Sequence, residues 1–107
     1  MISVHQNSFT QQSVRGAQCF YYQRSEQSMR LAAICQNQLN LQINQSQKKE
    51  KANDSYYMFI NSKCPGMIVE CGFLSNADEE QKLQSDDYQE EFANVLSEAI
   101  DIYFKGM

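Results

Sequence analysis

Ile2-Ser3-Val4-His5 alternates apolar and polar residues one by one, the period of a short strand. Gln6 to Arg15 is mostly polar, with Ser, Thr, Asn and Gln, and reads as a loop closed by Gly16. Ala17 to Tyr22 is a second strand candidate, rich in aromatic side chains. Ser25 then suits a helix N-cap, and Met29, Leu31, Ala32, Ala33, Cys35 and Leu39 fall at helical spacings that make one apolar stripe. Asn40 to Ser55 turns polar again, with Lys48, Lys49 and Lys51 close together, and reads as a loop or a frayed helix end with a solvated basic face. Tyr56 to Ile60 is a third strand candidate, followed by a turn or crossover holding the only proline, Pro65. Met67 to Phe73 is the fourth and most apolar strand. Asn76 opens a short helix, with Glu79 at capping-box spacing. The last helix starts near Asp86; Tyr88, Phe92, Val95, Leu96, Ala99, Ile100, Tyr103 and Phe104 form its apolar set, and Gly106 is its stop. Apolar strands alternating with helices predict an α/β fold, a mostly parallel sheet flanked by helices.

Length and composition narrow the picture. A chain of 107 residues is one domain at most. With 42% hydrophobic and 21% charged residues it is globular rather than disordered. A net charge of −4 argues against nucleic acid, whose binding rests on Lys and Arg neutralising phosphates. No apolar run approaches the roughly 18 residues a bilayer span needs, and no basic segment leads into an apolar stretch at Met1 to make a signal peptide. Cys19, Cys35, Cys64 and Cys71 form no C-x-x-C pair, so neither a structural zinc site nor a disulfide framework is expected. They read as buried thiols behaving as small hydrophobes.

Two residues stand out chemically. Glu70 lies inside Met67-Ile68-Val69-Glu70-Cys71-Gly72-Phe73, where every other residue is apolar or Gly. A strand buried on both faces holds a carboxylate only if a cation, a metal or a catalytic use of a raised pKa offsets the cost. A glutamate on an edge strand facing water fits the same local pattern. His5, the only histidine, ends the first strand candidate, with Asn7 two residues on. A lone histidine is more often structural than a ligand, and a catalytic zinc needs at least three protein ligands.

Three blocks carry a resemblance: Ser3-Val4-His5-Gln6-Asn7-Ser8, Gly16-Ala17-Gln18-Cys19-Phe20-Tyr21-Tyr22, and Val69-Glu70-Cys71-Gly72-Phe73-Leu74-Ser75-Asn76. In this order and spacing they resemble the zinc-dependent N-acetylmuramoyl-L-alanine amidases of the third amidase class. These are bacterial cell-wall hydrolases, and the likeness is strongest to the branch acting on spore peptidoglycan during sporulation and germination. Lys51 to Tyr57 and Asp86-Asp87-Tyr88-Gln89 agree in kind, so the resemblance covers essentially the whole chain. It implies that His5 is a zinc ligand, that Glu70 is the catalytic carboxylate, and that Asn7 orients the loop after His5 or contacts substrate. It further implies zinc as cofactor, peptidoglycan as substrate and an extracytoplasmic site of action in the cell wall or spore envelope. Gly72 is expected to let the backbone pass close to a neighbour, the substrate being one candidate, Ser75 and Asn76 to cap a helix, and Phe73 and Leu74 to join the core.

The family's other two zinc ligands, a His in a D-P-G-H-G-type block and a Glu further on, precede the S-x-H-x-N block and have no counterpart among these residues. Residues 1–107 are therefore expected to be the C-terminal portion of an amidase catalytic domain, with the sheet truncated at its N-terminal side and little or no activity alone. The alternative is a non-catalytic peptidoglycan-binding or structural remnant completed by a separate N-terminal half. Either way, the strand bearing His5 is expected to lack neighbours, so that the isolated chain self-associates, swaps elements or folds poorly.

Overall fold

The computed structural model describes residues 1–7, 11–12, 15–44, 47–53 and 63–106. Among the described residues the elements succeed one another as β1 (Ile2–Asn7), β2 (Gln18–Tyr21), α1 (Glu26–Gln42), β3 (Lys51–Ala52), β4 (Met67–Phe73), α2 (Ala77–Leu83) and α3 (Asp86–Lys105). The strands form one sheet in the order β1-β4-β2-β3. β1 runs parallel to β4 and β2 parallel to β3, while β2 and β4 are antiparallel, so the expected parallel pairings hold around one reversed junction.

The predicted boundaries arise from local chemistry. Ser25 caps α1 by accepting from the Ser28 N–H, and Ser85 caps α3 by accepting from the Tyr88 N–H. Asn76 caps α2 and accepts from the N–H groups of Asp78 and Glu79. Gly106 ends α3, its N–H returning to Ile102 O. The predicted strand at Tyr56–Ile60 lies outside the described residues. Lys51–Ala52, expected as loop, is instead a two-residue strand on β2. Nothing in so short and exposed a pair carries a periodic signal.

The core lies on one face of the sheet. Cys19, Met67, Val69 and Cys71 meet Leu31, Ala32, Cys35 and Leu39 of α1 and Phe92, Val95, Ala99 and Tyr103 of α3. Every residue of β4 is buried, as a central strand between β1 and β2 requires. Cys19, Cys35 and Cys71 are buried thiols, as expected, whereas Cys64, read with them as buried, is exposed. Met29 leaves its predicted stripe and is exposed, as is Leu74. Among the described residues no helix is long and apolar enough to cross a membrane.

Two buried polar side chains join elements that are distant in sequence. Gln36 of α1 accepts from the Cys19 N–H at 2.8 Å and donates to Ala17 O at 3.1 Å, fastening α1 to the start of β2. Glu79 of α2 accepts from the backbone N–H groups of Gly16 and Phe73. It therefore ties the loop before β2 to the end of β4 instead of closing the predicted capping box. Two glycines make room for this knot. Gly16 has φ +102°, and a Cβ there would meet Lys48 Cε at 2.7 Å. A Cβ at Gly72 would lie 3.2 Å from Glu79 Oε1, so the neighbour that the backbone passes closely at Gly72 is Glu79.

Candidate functional site

β4 and β1 bring the two singled-out residues together. His5 and Glu70 are direct register partners on these adjacent strands. Side chains of partnered residues in a sheet project from the same face, so both stand on the face opposite the α1–α3 core. Gln18 of β2 partners Glu70 from the other side. One row across the sheet therefore reads Gln18, Glu70, His5. The parallel ladder is interrupted just beyond it: His5 partners Glu70, but Asn7 partners Phe73, which leaves one extra residue on β4 at Cys71-Gly72. A bulge beside such a row re-aims the side chains past it. The structure places Asn7 at the end of β1, but its side chain lies outside the described residues.

The three members of the row differ in environment. Glu70 is 6% exposed, and its Oε2 has no hydrogen-bond partner among the described residues. Burial pushes the Glu70 carboxyl above its ordinary value, while the neighbouring His5 pulls it back down. The edge-strand alternative is thereby removed, since Glu70 sits on the most enclosed strand of the sheet. His5 is exposed, and its Nε2 lies 2.7 Å from Ser3 Oγ. Gln18, not singled out from sequence, is buried and donates through Nε2 to Lys49 O at 2.6 Å. Its signal was available: strand alternation sets it opposite the core residue Cys19, on Glu70's side.

Lys48 departs from the solvated basic face expected of it. It is half-buried, with Nζ 5.1 Å from the centroid of the Phe73 ring. Burial lowers its pKa, an effect that attraction to Glu79 opposes. Lys49 and Lys51 are exposed as expected.

What the row can do is accept and return a proton through a buried, under-solvated carboxylate, with an imidazole beside it. It cannot by itself hold a catalytic zinc. Among the described residues no group of three His, Cys, Asp or Glu side chains could share a metal ion.

The fold is an α/β sheet with a buried glutamate partnered by a histidine on one face. Comparison makes this specific. The profile of the N-acetylmuramoyl-L-alanine amidase family matches residues 1–101, and the chain belongs to that family. The germination-specific N-acetylmuramoyl-L-alanine amidase of Bacillus subtilis is 33% identical over 103 residues, 96% of this chain and 44% of that protein. The CwlD amidase of Clostridioides difficile, solved in complex with the GerS lipoprotein, superposes with a TM-score of 0.96 at 31% identity, over 99% of this chain and 54% of that one. A second amidase, from Clostridium difficile 630, shares the fold with a TM-score of 0.90 at 24% identity, over 97% of this chain and 56% of that one. The chain thus spans about half the length of these relatives.

Proposed function

We propose that residues 1–107 are the C-terminal portion of an amidase catalytic domain that hydrolyses the amide between the lactyl group of N-acetylmuramic acid and L-alanine in peptidoglycan. The observation that supports this most directly is the register pairing of His5 with buried Glu70 on one face of the sheet. In this reading Glu70 takes the proton of the attacking water as its oxygen bonds to the amide carbon, then passes it to the nitrogen as the carbon–nitrogen bond breaks. Burial raises the pKa of Glu70, a direction that suits a group which must both accept and return a proton. Gln18 is the register partner of Glu70 on the other flank, and Asn7 contacts substrate or orients the loop after His5.

His5 is the one zinc ligand this chain contributes to the reading. Because the described residues do not complete a metal site, the proton steps are assigned to Glu70 alone. The full-length protein acts outside the cytoplasm, in the cell wall or spore envelope, as the names of its relatives suggest.

The test is a graft of this segment into the Bacillus subtilis germination-specific amidase in place of the region it matches. The chimera should release new amino termini from peptidoglycan. Glu70→Gln should lower that rate by about 10²–10⁴-fold, and His5→Ala should reduce bound zinc. Unchanged turnover in the Glu70→Gln chimera would overturn the assignment. A non-catalytic remnant that keeps the substrate groove is the second reading, favoured by the incomplete metal site. It predicts that the chain binds peptidoglycan while the chimera releases nothing.

A further inference from the structure

β4 stops being a regular strand immediately after Glu70. On one side His5 partners Glu70 and Asn7 partners Phe73, so β4 carries one residue more than β1 over that step. On the other side the antiparallel ladder with β2 ends, among the described residues, at Gln18 and Glu70. The backbone of Cys71 and Gly72 is thus released from regular pairing inside a strand that is buried throughout, where its polar groups need other partners.

Those partners come from the two helices that follow. Tyr88, in the first turn of α3, donates its hydroxyl to Cys71 O at 2.9 Å. Glu79, in the first turn of α2, accepts the Phe73 N–H at 3.3 Å and the Gly16 N–H from the loop before β2. Phe73 O in turn accepts from the Asn76 N–H at 3.0 Å. The helix caps hold both clamping residues in place: Ser85 accepts from the Tyr88 N–H and Asn76 from the Glu79 N–H. The Tyr88 ring leans on Phe92, with 5.9 Å between centroids. Burial, and then the Glu79 carboxylate, hold the Tyr88 phenol above its ordinary pKa, so its hydroxyl stays a donor throughout the neutral range.

The extra residue also exchanges the faces beyond it. Alternation would send Phe73 after Val69 and Cys71 into the core. Its ring instead stands outside that cluster, with Lys48 Nζ 5.1 Å from its centroid. Leu74 lines a groove with Cys71 and Phe92 on the helical side. Glu70 is the last residue before this exchange. Its Oε2 has no hydrogen-bond partner among the described residues, so the direction of the carboxylate is left largely to the backbone that carries it.

From these contacts we infer that Tyr88 and Glu79 are positioning residues: they hold the Cys71–Gly72 bulge from its two ends and so set the direction in which Glu70 presents its carboxylate to the reacting bond. The inference rests on the amidase reading and adds to it two residues outside the Gln18–Glu70–His5 row. The stake is large for so small a contact, since a displacement of about 1 Å at a reacting group costs as much as about 10²-fold in rate.

The chimera of this segment with the Bacillus subtilis germination-specific amidase carries the test. Tyr88→Phe removes one hydroxyl and keeps the ring. It should lower kcat for the release of amino termini by about tenfold and leave KM within about twofold. Glu79→Ala should act in the same way, and Glu79→Gln, which keeps an oxygen to accept both N–H groups, should restore most of the rate. Ala99→Gly weakens α3 three turns beyond Tyr88 and is the stability control; its kcat should match the parent. A second measurement needs no turnover. In the chain of 107 residues, Overhauser contacts between the His5 ring and the Glu70 side chain should weaken in Tyr88→Phe, while those between Val4 and Val69 persist. An Ala99→Gly chimera as slow as Tyr88→Phe overturns the inference, as does a change in KM alone or an unaltered His5–Glu70 contact. A parent chimera without activity overturns the amidase reading instead, and the clamp on Glu70 is then decided by the Overhauser contacts in the chain.

Discussion

β4 and β1 lie side by side, carry one candidate residue each, and could hardly differ more in how the chain treats them. β4 is buried along its whole length, between β1 and β2 and beneath α1 and α3. Among the described residues β1 has a partner on one side only, and Val4 on its helical face is 56% exposed. The chain thus builds the environment of Glu70 from its own residues but leaves that of His5 half-built. α3 repeats the contrast along its length, with Phe92 buried and Phe104 exposed.

The contrast is broken most strongly on α3. Phe92→Ala removes a 4%-exposed ring from the core and should cost about 3–5 kcal/mol. Phe104→Ala, on the same helix but 63% exposed, should change stability by no more than about 0.5 kcal/mol. Urea unfolding of the two variants measures the difference. Comparable losses would mean that Phe104 is covered within the chain itself.

Next in size is the knot at the end of β4. Glu79→Ala leaves the N–H groups of Gly16 and Phe73 without their carboxylate and should cost about 1–3 kcal/mol. Gly72→Ala forces a Cβ to within 3.2 Å of Glu79 Oε1 and should lose less, because a side chain can retreat where backbone cannot. Thermal melts of the two variants and the parent set the order.

Features readable from sequence and features that were not divide along the same physical line. Met67–Phe73, the caps Ser25, Asn76 and Ser85, and the inner stripe of α3 arise from local spacing and local hydrogen bonding, and the structure has them. Glu79 and Gln36 bond to backbone 63 and 17 residues away, and no periodicity encodes such a partner. Gln36 did leave a trace, as a polar residue one turn from Ala32 and Leu39 on an apolar stripe. At the site, Glu70 was conspicuous as a charge among apolar neighbours. His5 came through resemblance, and its pairing with Glu70 needed the strand order. Ile100 and Phe104, read with Leu96 into the apolar set of α3, are exposed, because spacing reports which residues are apolar, not whether anything faces them.

A smaller effect sharpens the comparison through Glu70. Its folded-state pKa is raised above the ordinary 4.5, so the native state holds a proton that the unfolded chain has already released. Stability contributed by this group is full below the unfolded value and is lost as pH climbs through the folded one. Glu70→Gln removes that loss. Its melting temperature should match the parent in acid and exceed it increasingly toward neutral pH. Parallel curves at all pH values would mean that Glu70 ionises without cost, and that its Oε2 finds a partner in solution.

The smallest effect belongs to β1. His5 is exposed and its one described contact is to Ser3 Oγ, so His5→Ala should shift stability by no more than about 0.5 kcal/mol. Its informative consequence is at a distance of one strand. His5 is the group that lowers the Glu70 pKa against the upward push of burial. Without the imidazole, the Glu70 titration monitored by carboxyl carbon NMR should move further up while the fold stays put. An unmoved Glu70 titration would show that the two side chains do not sense each other, and the shared site on this face of the sheet would lose its electrostatic support. A raised titration with unchanged stability would locate the role of His5 in the chemistry of its neighbour rather than in holding the strand.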